Sequence, residues 1–126
     1  MPKTTKATAP VTMENPAVVD RTFEAEGGYT LNFTDFHEDL DMTEMLAPLP
    51  GGMCQCPHWG YMLSGRFDVR YADGSNEVIE AGDAFYMPAG HVGTISAGTA
   101  FVMFSPTDEA KATEDAIAAA MEATTD

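Results

Sequence analysis

Basic residues are scarce in this sequence of 126 residues. Six Lys and Arg stand against twenty Asp and Glu, which gives a formal net charge of −14. A surface of this charge repels nucleic-acid phosphates and anionic lipid headgroups, so we expect neither nucleic acid nor a membrane surface as a partner. The acidity itself indicates solubility.

Long hydrophobic runs are also absent. No window approaches the roughly 18 consecutive apolar residues of a membrane-spanning helix. The first 16 residues contain lysines but lack the apolar segment of a secretory signal. The sequence therefore predicts a cytoplasmic protein.

Cysteine is limited to two residues, Cys54 and Cys56. In a reducing compartment such a pair indicates a metal or redox site rather than a disulfide. On an extended strand, residues two apart have Cα atoms about 6.5–7 Å apart, the far limit for a disulfide. A strained Cys54–Cys56 disulfide is the minor alternative.

The length and the hydrophobic fraction of 44% fit one folded domain. Residues 1–18, rich in Thr, Pro, Ala and Lys without periodicity, predict a disordered arm. Residues 19–106 predict the folded domain. Residues 110–121 are Ala-rich and lack Gly and Pro, so 107–126 should form a C-terminal helix and tail.

Short alternating segments separated by turn residues follow one another through the folded region. The predicted strands are 29–33, 67–71, 76–79, 84–87, 92–95 and 100–105. Gly74 supplies a tight turn between two of them. Short strands with turns every 8–12 residues are typical of an all-β sandwich or barrel.

The segment CQCPHWGY at 54–61 carries the strongest chemical signal. Cys54, Cys56 and His58 share parity, so on a strand all three face the same side. Thiolate and imidazole are ligands of zinc and other borderline or soft metals. The alternatives are structural or substrate-binding thiols, because buried Cys also behaves as a small hydrophobe.

Large apolar residues with the opposite parity lie within this segment and just after it, among them Trp59, Tyr61 and Leu63. Either the polar side of the strand faces the pocket while the apolar side packs elsewhere, or a bulge near Gly60 or Gly65 reverses the faces.

Gly65 with the hydrophobic residues before it, followed by Gly82-Asp83, Pro88 and Gly90, resembles the two motifs of the cupin superfamily. The resemblance covers residues 51–95, extends through flanking strands to 105, and is closest to small bacterial cupins. It implies an all-β fold, a cupin-type double-stranded β-helix or jelly-roll barrel with a short C-terminal helix.

The metal-ligand positions of the family have changed in this chain. His58 stands where the family has Glu, Cys54 and Gly52 stand where it has the first two His, and Gly93 stands where it has the last. His91 precedes that last position by two residues. A divalent transition metal, zinc or iron, would therefore need Cys54, Cys56, His58 and His91 as ligands.

Two functional classes remain open. By resemblance, the chain is a metal-dependent enzyme on a small molecule, of the oxygenase, isomerase or lyase type. Alternatively, it is a non-catalytic binding or sensing protein with a structural Cys/His metal site or no metal. Three protein ligands favour the first class and four the second. The resemblance also implies a homodimer, which would cover the odd-numbered apolar face of residues 59–71.

Other candidate residues have weaker support. Tyr61, Tyr86 and Phe104 are predicted to line a substrate pocket, although aromatics in small barrels more often belong to the core. His37, in an acidic loop-like segment, is interpreted as solvated, with a fourth ligand as the alternative.

Overall fold

The structure, a computed structural model, describes residues 3–124. The predicted arm and tail reach beyond these limits, and their residues 1–2 and 125–126 lie outside the described residues. The strands are β1 (Val11–Glu14), β2 (Val18–Ala25), β3 (Tyr29–Phe36), β4 (Leu40–Asp41), β5 (His58–Ser64), β6 (Arg66–Tyr71), β7 (Asn76–Glu80), β8 (Ala84–Met87), β9 (His91–Ile95) and β10 (Ala100–Pro106). The helices are α1 (Thr43–Leu46), a 3₁₀ turn at Pro50–Gly52, and α2 (Thr107–Thr124).

The strands form two antiparallel sheets. One sheet has the order β1-β2-β3-β10-β5-β8 and the other the order β4-β9-β6-β7. Buried apolar side chains from both sheets make a shared core, including Met62, Phe67, Phe85 and Phe101. Burial of each such side chain contributes about 1.5–3 kcal/mol. The predicted all-β class with a C-terminal helix is confirmed.

Gly65 separates two strands whose inward faces have opposite parity. In β5 the even-numbered Met62 is buried, whereas Tyr61 and Leu63 are exposed. In β6 the odd-numbered Phe67 is buried. Gly65 has φ +84° and connects the two sheets. The polar side of β5 thus faces inward at His58, and the change of parity occurs at Gly65.

The amino-terminal segment differs from the disordered arm predicted for residues 1–18. Strand β1 pairs with β2 at the edge of the larger sheet, and Ala9 is buried. Lys6 Nζ lies 2.6 Å from Asp35 Oδ1. Every β1 side chain is exposed. This edge strand is therefore held by backbone hydrogen bonds rather than by apolar burial. The sequence therefore shows no hydrophobic periodicity from which strand β1 could be predicted.

Helix α2 packs on the barrel beside the two cysteines. Its residues Ala110 and Ile117 contact the buried group formed by Leu46, Leu49, Cys54, Cys56 and Val92. The Thr107 amide donates a hydrogen bond to the Gly28 carbonyl at 2.8 Å, which ties the first turn to the β2–β3 connection. Within residues 3–124, no helix is both long and apolar enough to cross a membrane.

Candidate metal centre

Three of the four predicted ligands come together. Cys54, His58 and His91 each offer one ligand atom, and these atoms all lie within 4.8 Å of one another. Cys54 Sγ is 3.7 Å from His58 Nε2, and the two imidazole centroids are 5.0 Å apart. Cys54 and His91 are buried, and His58 is half-buried.

Backbone pairing explains this convergence of residues that are far apart in sequence. The Cys54 amide donates to the His91 carbonyl at 2.8 Å, and the His91 amide donates back at 3.2 Å. This isolated antiparallel bridge fixes Cys54 against the first residue of β9. His58 begins β5 and points inward with the even parity of that strand.

Cys56 lies beside the centre but is not one of its three members. The prediction placed Cys54, Cys56 and His58 on one continuous strand face, but β5 begins only at His58. Pro57 has no amide hydrogen to donate to a ladder, which accounts for the late start of the strand. Both cysteines are free and buried, so the alternative of a disulfide is not realised.

The hydrogen bonds of the two imidazoles leave their Nε2 atoms available. His91 Nδ1 lies 2.8 Å from the Pro88 carbonyl oxygen, which can only accept, so Nδ1 carries the hydrogen. His58 Nδ1 lies 2.6 Å from Ser105 Oγ. Metal-binding histidines in proteins use their second nitrogen in this way.

Burial keeps this centre uncharged. It lowers the pKa of His58 to about 3, with a smaller effect from His91, and it also lowers the pKa of His91. Burial raises the pKa of the Cys54 thiol. Two neutral imidazoles and one thiol, with ligand atoms within 4.8 Å of one another, fit zinc or iron, since a thiol that loses its proton on binding completes a common donor set for such metals.

A cavity of about 150 Å³ adjoins the centre and is closed on one side by α2. Its lining includes Cys54, His58 and Ser105 from the barrel and Thr113 and Glu114 from α2. The volume corresponds to about five water molecules at roughly 30 Å³ each. The centre therefore borders a space that a small molecule can occupy.

Two acidic residues, Asp20 and Glu114, also line the cavity. Asn32 Nδ2 donates to both Asp20 carboxylate oxygens, at 3.2 and 3.1 Å, and Thr34 Oγ1 donates at 3.0 Å. Burial raises the pKa of Asp20. Burial and the nearby Asp20 also raise the pKa of Glu114.

The aromatic residues predicted for the substrate pocket are elsewhere. Tyr61, Tyr86 and Phe104 are 45%, 50% and 40% exposed and are not in the cavity lining. Their parity places them on the outer face of the larger sheet, where Trp59 stacks on Tyr86 with ring centroids 4.9 Å apart. His37 is exposed and is not a member of the centre.

Sequence reasoning missed Ser105, Asp20 and Glu114 as cavity residues. Ser105 is 47 residues from its partner His58, and Asp20 and Glu114 meet only through the docking of α2. None of the three belongs to a local motif. Inward parity on a predicted strand was the one available signal, and it applied only to Ser105.

Comparison with known proteins supports the fold. The family model of the EutQ-like cupin domain matches residues 53–107, which contain all four predicted ligands. No match was found among curated proteins.

Several solved structures share the architecture. A protein of unknown function from Rhizobium leguminosarum is 23% identical, with a TM-score of 0.56 over 83% of this chain and 94% of its own. An RmlC-like cupin from Shewanella frigidimarina is 16% identical, with 0.55 over 82% and 88%. A polyketide cyclase from Streptomyces resistomycificus is 16% identical, with 0.56 over 85% and 80%. The predicted cupin jelly-roll fold is confirmed.

Proposed function

We propose that this chain, a small single-domain cupin, holds one divalent transition metal ion, zinc or iron, through Cys54, His58 and His91. We further propose that a small molecule occupies the adjoining cavity. The observation that carries the proposal is the convergence of three ligand atoms within 4.8 Å at the edge of a cavity of about 150 Å³.

Three protein ligands beside an open cavity favour a functional site over a structural one. Structural zinc sites are closed by four protein ligands, whereas catalytic sites keep one position for water or substrate. A metal in this position would act as a Lewis acid on a substrate oxygen or on water. The chain contributes neutral imidazoles, a thiol that can ionise, and burial that limits access of bulk water.

One proton should be released for each metal ion bound, so the logarithm of the metal affinity should change by one for each pH unit. The pKa of Cys54 lies above its usual value, so the free thiol is protonated at neutral pH and must lose its proton to bind. Burial lowers the pKa of both His58 and His91, so near neutral pH protons compete less with the metal for these imidazoles than for the thiol. From pH 8 to pH 7 the zinc affinity should therefore fall about 10-fold.

Competition with a chromophoric chelator of known proton affinity measures this dependence. A slope of one supports a single thiolate ligand. A slope of two would mean that Cys56 also binds as a thiolate, and it would contradict the three-ligand site. A metal affinity that does not change with pH would mean that no thiolate binds the metal.

We also propose that a second copy of the chain covers the outer apolar face, defined here as Trp59, Tyr61, Leu63, Tyr86 and Phe104. Each is 40–50% exposed, and the register places Trp59 directly opposite both Tyr86 and Phe104. Contiguous exposed apolar residues mark interaction surfaces. This face carries no charge in a chain of net charge −14, so two copies can meet here with the least repulsion.

Leu63→Glu should convert the dimer to a monomer, because it buries two carboxylates at the proposed interface. The matched control is Val78→Glu, since Val78 is similarly exposed, at 44% against 48%, but lies on the other sheet. Light scattering at micromolar concentration gives the mass of each variant. A monomeric unsubstituted protein, or equal effects of the two substitutions, would refute this interface.

A further inference from the structure

The inner face of the larger sheet changes from apolar to polar beneath α2. Strands β2, β3 and β10 are neighbours in this sheet, and the even-numbered residues of β3 face inward, since Thr34 and Phe36 are buried. Phe36 belongs to the apolar core. The next inward positions carry Asp20, Asn32 and Thr34, which line the cavity beside the metal centre. Packing does not require a carboxylate here, because burying a charge costs free energy that an apolar side chain would avoid.

Hydrogen bonds hold the Asp20 carboxylate in one orientation. Asp20 lies directly opposite Thr34 in the register of β2 and β3, and Thr34 Oγ1 donates to Asp20 Oδ1 at 3.0 Å. Asn32 Nδ2 donates to both carboxylate oxygens, at 3.2 and 3.1 Å. These donors are neutral side chains, so they orient the carboxylate without neutralising its charge.

The chain supplies no positive charge to balance the carboxylates of the cavity. None of the ion pairs within residues 3–124 includes Asp20 or Glu114. Arg21, the residue next to Asp20, instead places Nη1 3.9 Å from Asp35 Oδ2. The described residues that line the cavity include these two carboxylates and no Lys or Arg. The cavity therefore repels anions and attracts cations.

We propose that the small molecule in the cavity is an organic cation whose ammonium group binds the Asp20 carboxylate. This inference rests on the proposed function, which places a small molecule there. An ammonium group has three hydrogens to donate, and charge-assisted hydrogen bonds are about twice as strong as neutral ones. Glu114 adds a second negative charge, and the uncharged part of the molecule lies along Met103 and Ala110. The volume of about 150 Å³ limits the molecule to about five non-hydrogen atoms.

Three probes of similar size and different charge test this selection: propylammonium, 1-propanol and propionate. Each is titrated into the purified full chain and followed by NMR through the side-chain amide of Asn32, which donates to Asp20. Propylammonium should shift this resonance to saturation, and the other two should bind at least about 10-fold more weakly. The exposed Asn15 is the internal control and should not shift. Equal binding of 1-propanol, or tighter binding of propionate, would overturn the proposal.

Asp20→Asn removes the charge and keeps the size of the side chain. It should weaken propylammonium binding at least about 10-fold. The matched control is Asp35→Asn, which changes the net charge equally, because Asp35 pairs with Lys6 and does not line the cavity. Glu114→Gln, on the helix, should have a smaller effect in the same direction and remains informative if Asp20→Asn does not fold. Equal effects of all three substitutions would mean that net charge alone attracts the probe, and the proposal would fail.

Zinc binding separates this inference from the proposed metal site. Asp20 is not a member of the metal centre, so Asp20→Asn should bind zinc far more tightly than Cys54→Ala. Equal loss of zinc in these two variants would make Asp20 a metal ligand and overturn the proposal. If the unsubstituted protein binds propylammonium but no zinc, the metal site fails and the selection of cations stands. If it binds zinc but no propylammonium, the selection of cations fails and the metal site stands.

Discussion

His58→Ala should weaken metal binding by more than about 100-fold, and Cys54→Ala should do the same. Loss of an outer hydrogen-bond partner already costs 10–100-fold in metal affinity, so loss of a ligand should cost more. The β-sheet should survive, because the main core of Met62, Phe67 and Phe101 does not include either residue. Elemental analysis of each purified variant, with circular dichroism on the same sample, measures both effects.

Trp59→Phe is the matched control for these substitutions. Trp59 adjoins His58 in sequence but is 42% exposed on the outer face of the sheet. It should therefore retain the full metal content. If Trp59→Phe lost metal as severely as His58→Ala, the face of β5 on which a residue lies would not determine whether it contributes to metal binding. If both ligand variants kept their metal, Cys54 and His58 would be packing residues only.

Gly65→Ala should destabilise the fold by about 2–5 kcal/mol. Gly65 has φ +84°, and a Cβ there would overlap the hydroxyl and Cα of Thr99. Thr99 cannot move aside freely, because its Oγ1 accepts from the Arg66 amide at 3.0 Å and donates to the Arg66 carbonyl at 3.2 Å. Left-handed backbone strain of about 1–2 kcal/mol adds to overpacking of about 1–3 kcal/mol.

Gly74→Ala isolates the backbone contribution. Gly74 has nearly the same φ, +88°, but a Cβ there meets no atom within 4 Å. Its cost should be about 1–2 kcal/mol. Urea denaturation of both variants gives the two free energies of unfolding. Equal values would mean that the contact with Thr99 relaxes without cost and that Gly65 is required only for its turn.

The central hairpin was accessible to sequence analysis because burial alternates along its first strand, in which Phe67 and Val69 are buried. Residues 67–71 and 76–79 were predicted as strands around Gly74, and the structure has β6 at Arg66–Tyr71 and β7 at Asn76–Glu80. Alternating burial leaves a period of two in the sequence. The glycines and proline of the cupin-like motifs lie in the turns that connect such strands, and the fold class followed from them.

The site was accessible only in part, because local spacing does not report pairing between distant segments. Parity along 54–58 grouped Cys54 with Cys56, but Pro57 delays the start of β5, and Cys54 instead pairs with His91. Tyr61, which was predicted as a pocket residue although its parity is opposite to that of Cys54 and His58, lies on the exposed face of β5. Glu114 reaches the cavity only because α2 docks on the barrel.

X-ray absorption at the metal edge, on anaerobically purified protein, tests the three-ligand metal site. We expect about one zinc or iron per chain with one sulfur ligand, two imidazole nitrogens and at least one further light atom that is not from the protein. Absence of any transition metal would refute the site. Two sulfur ligands would also refute it, because they would place Cys56 on the metal and close the site.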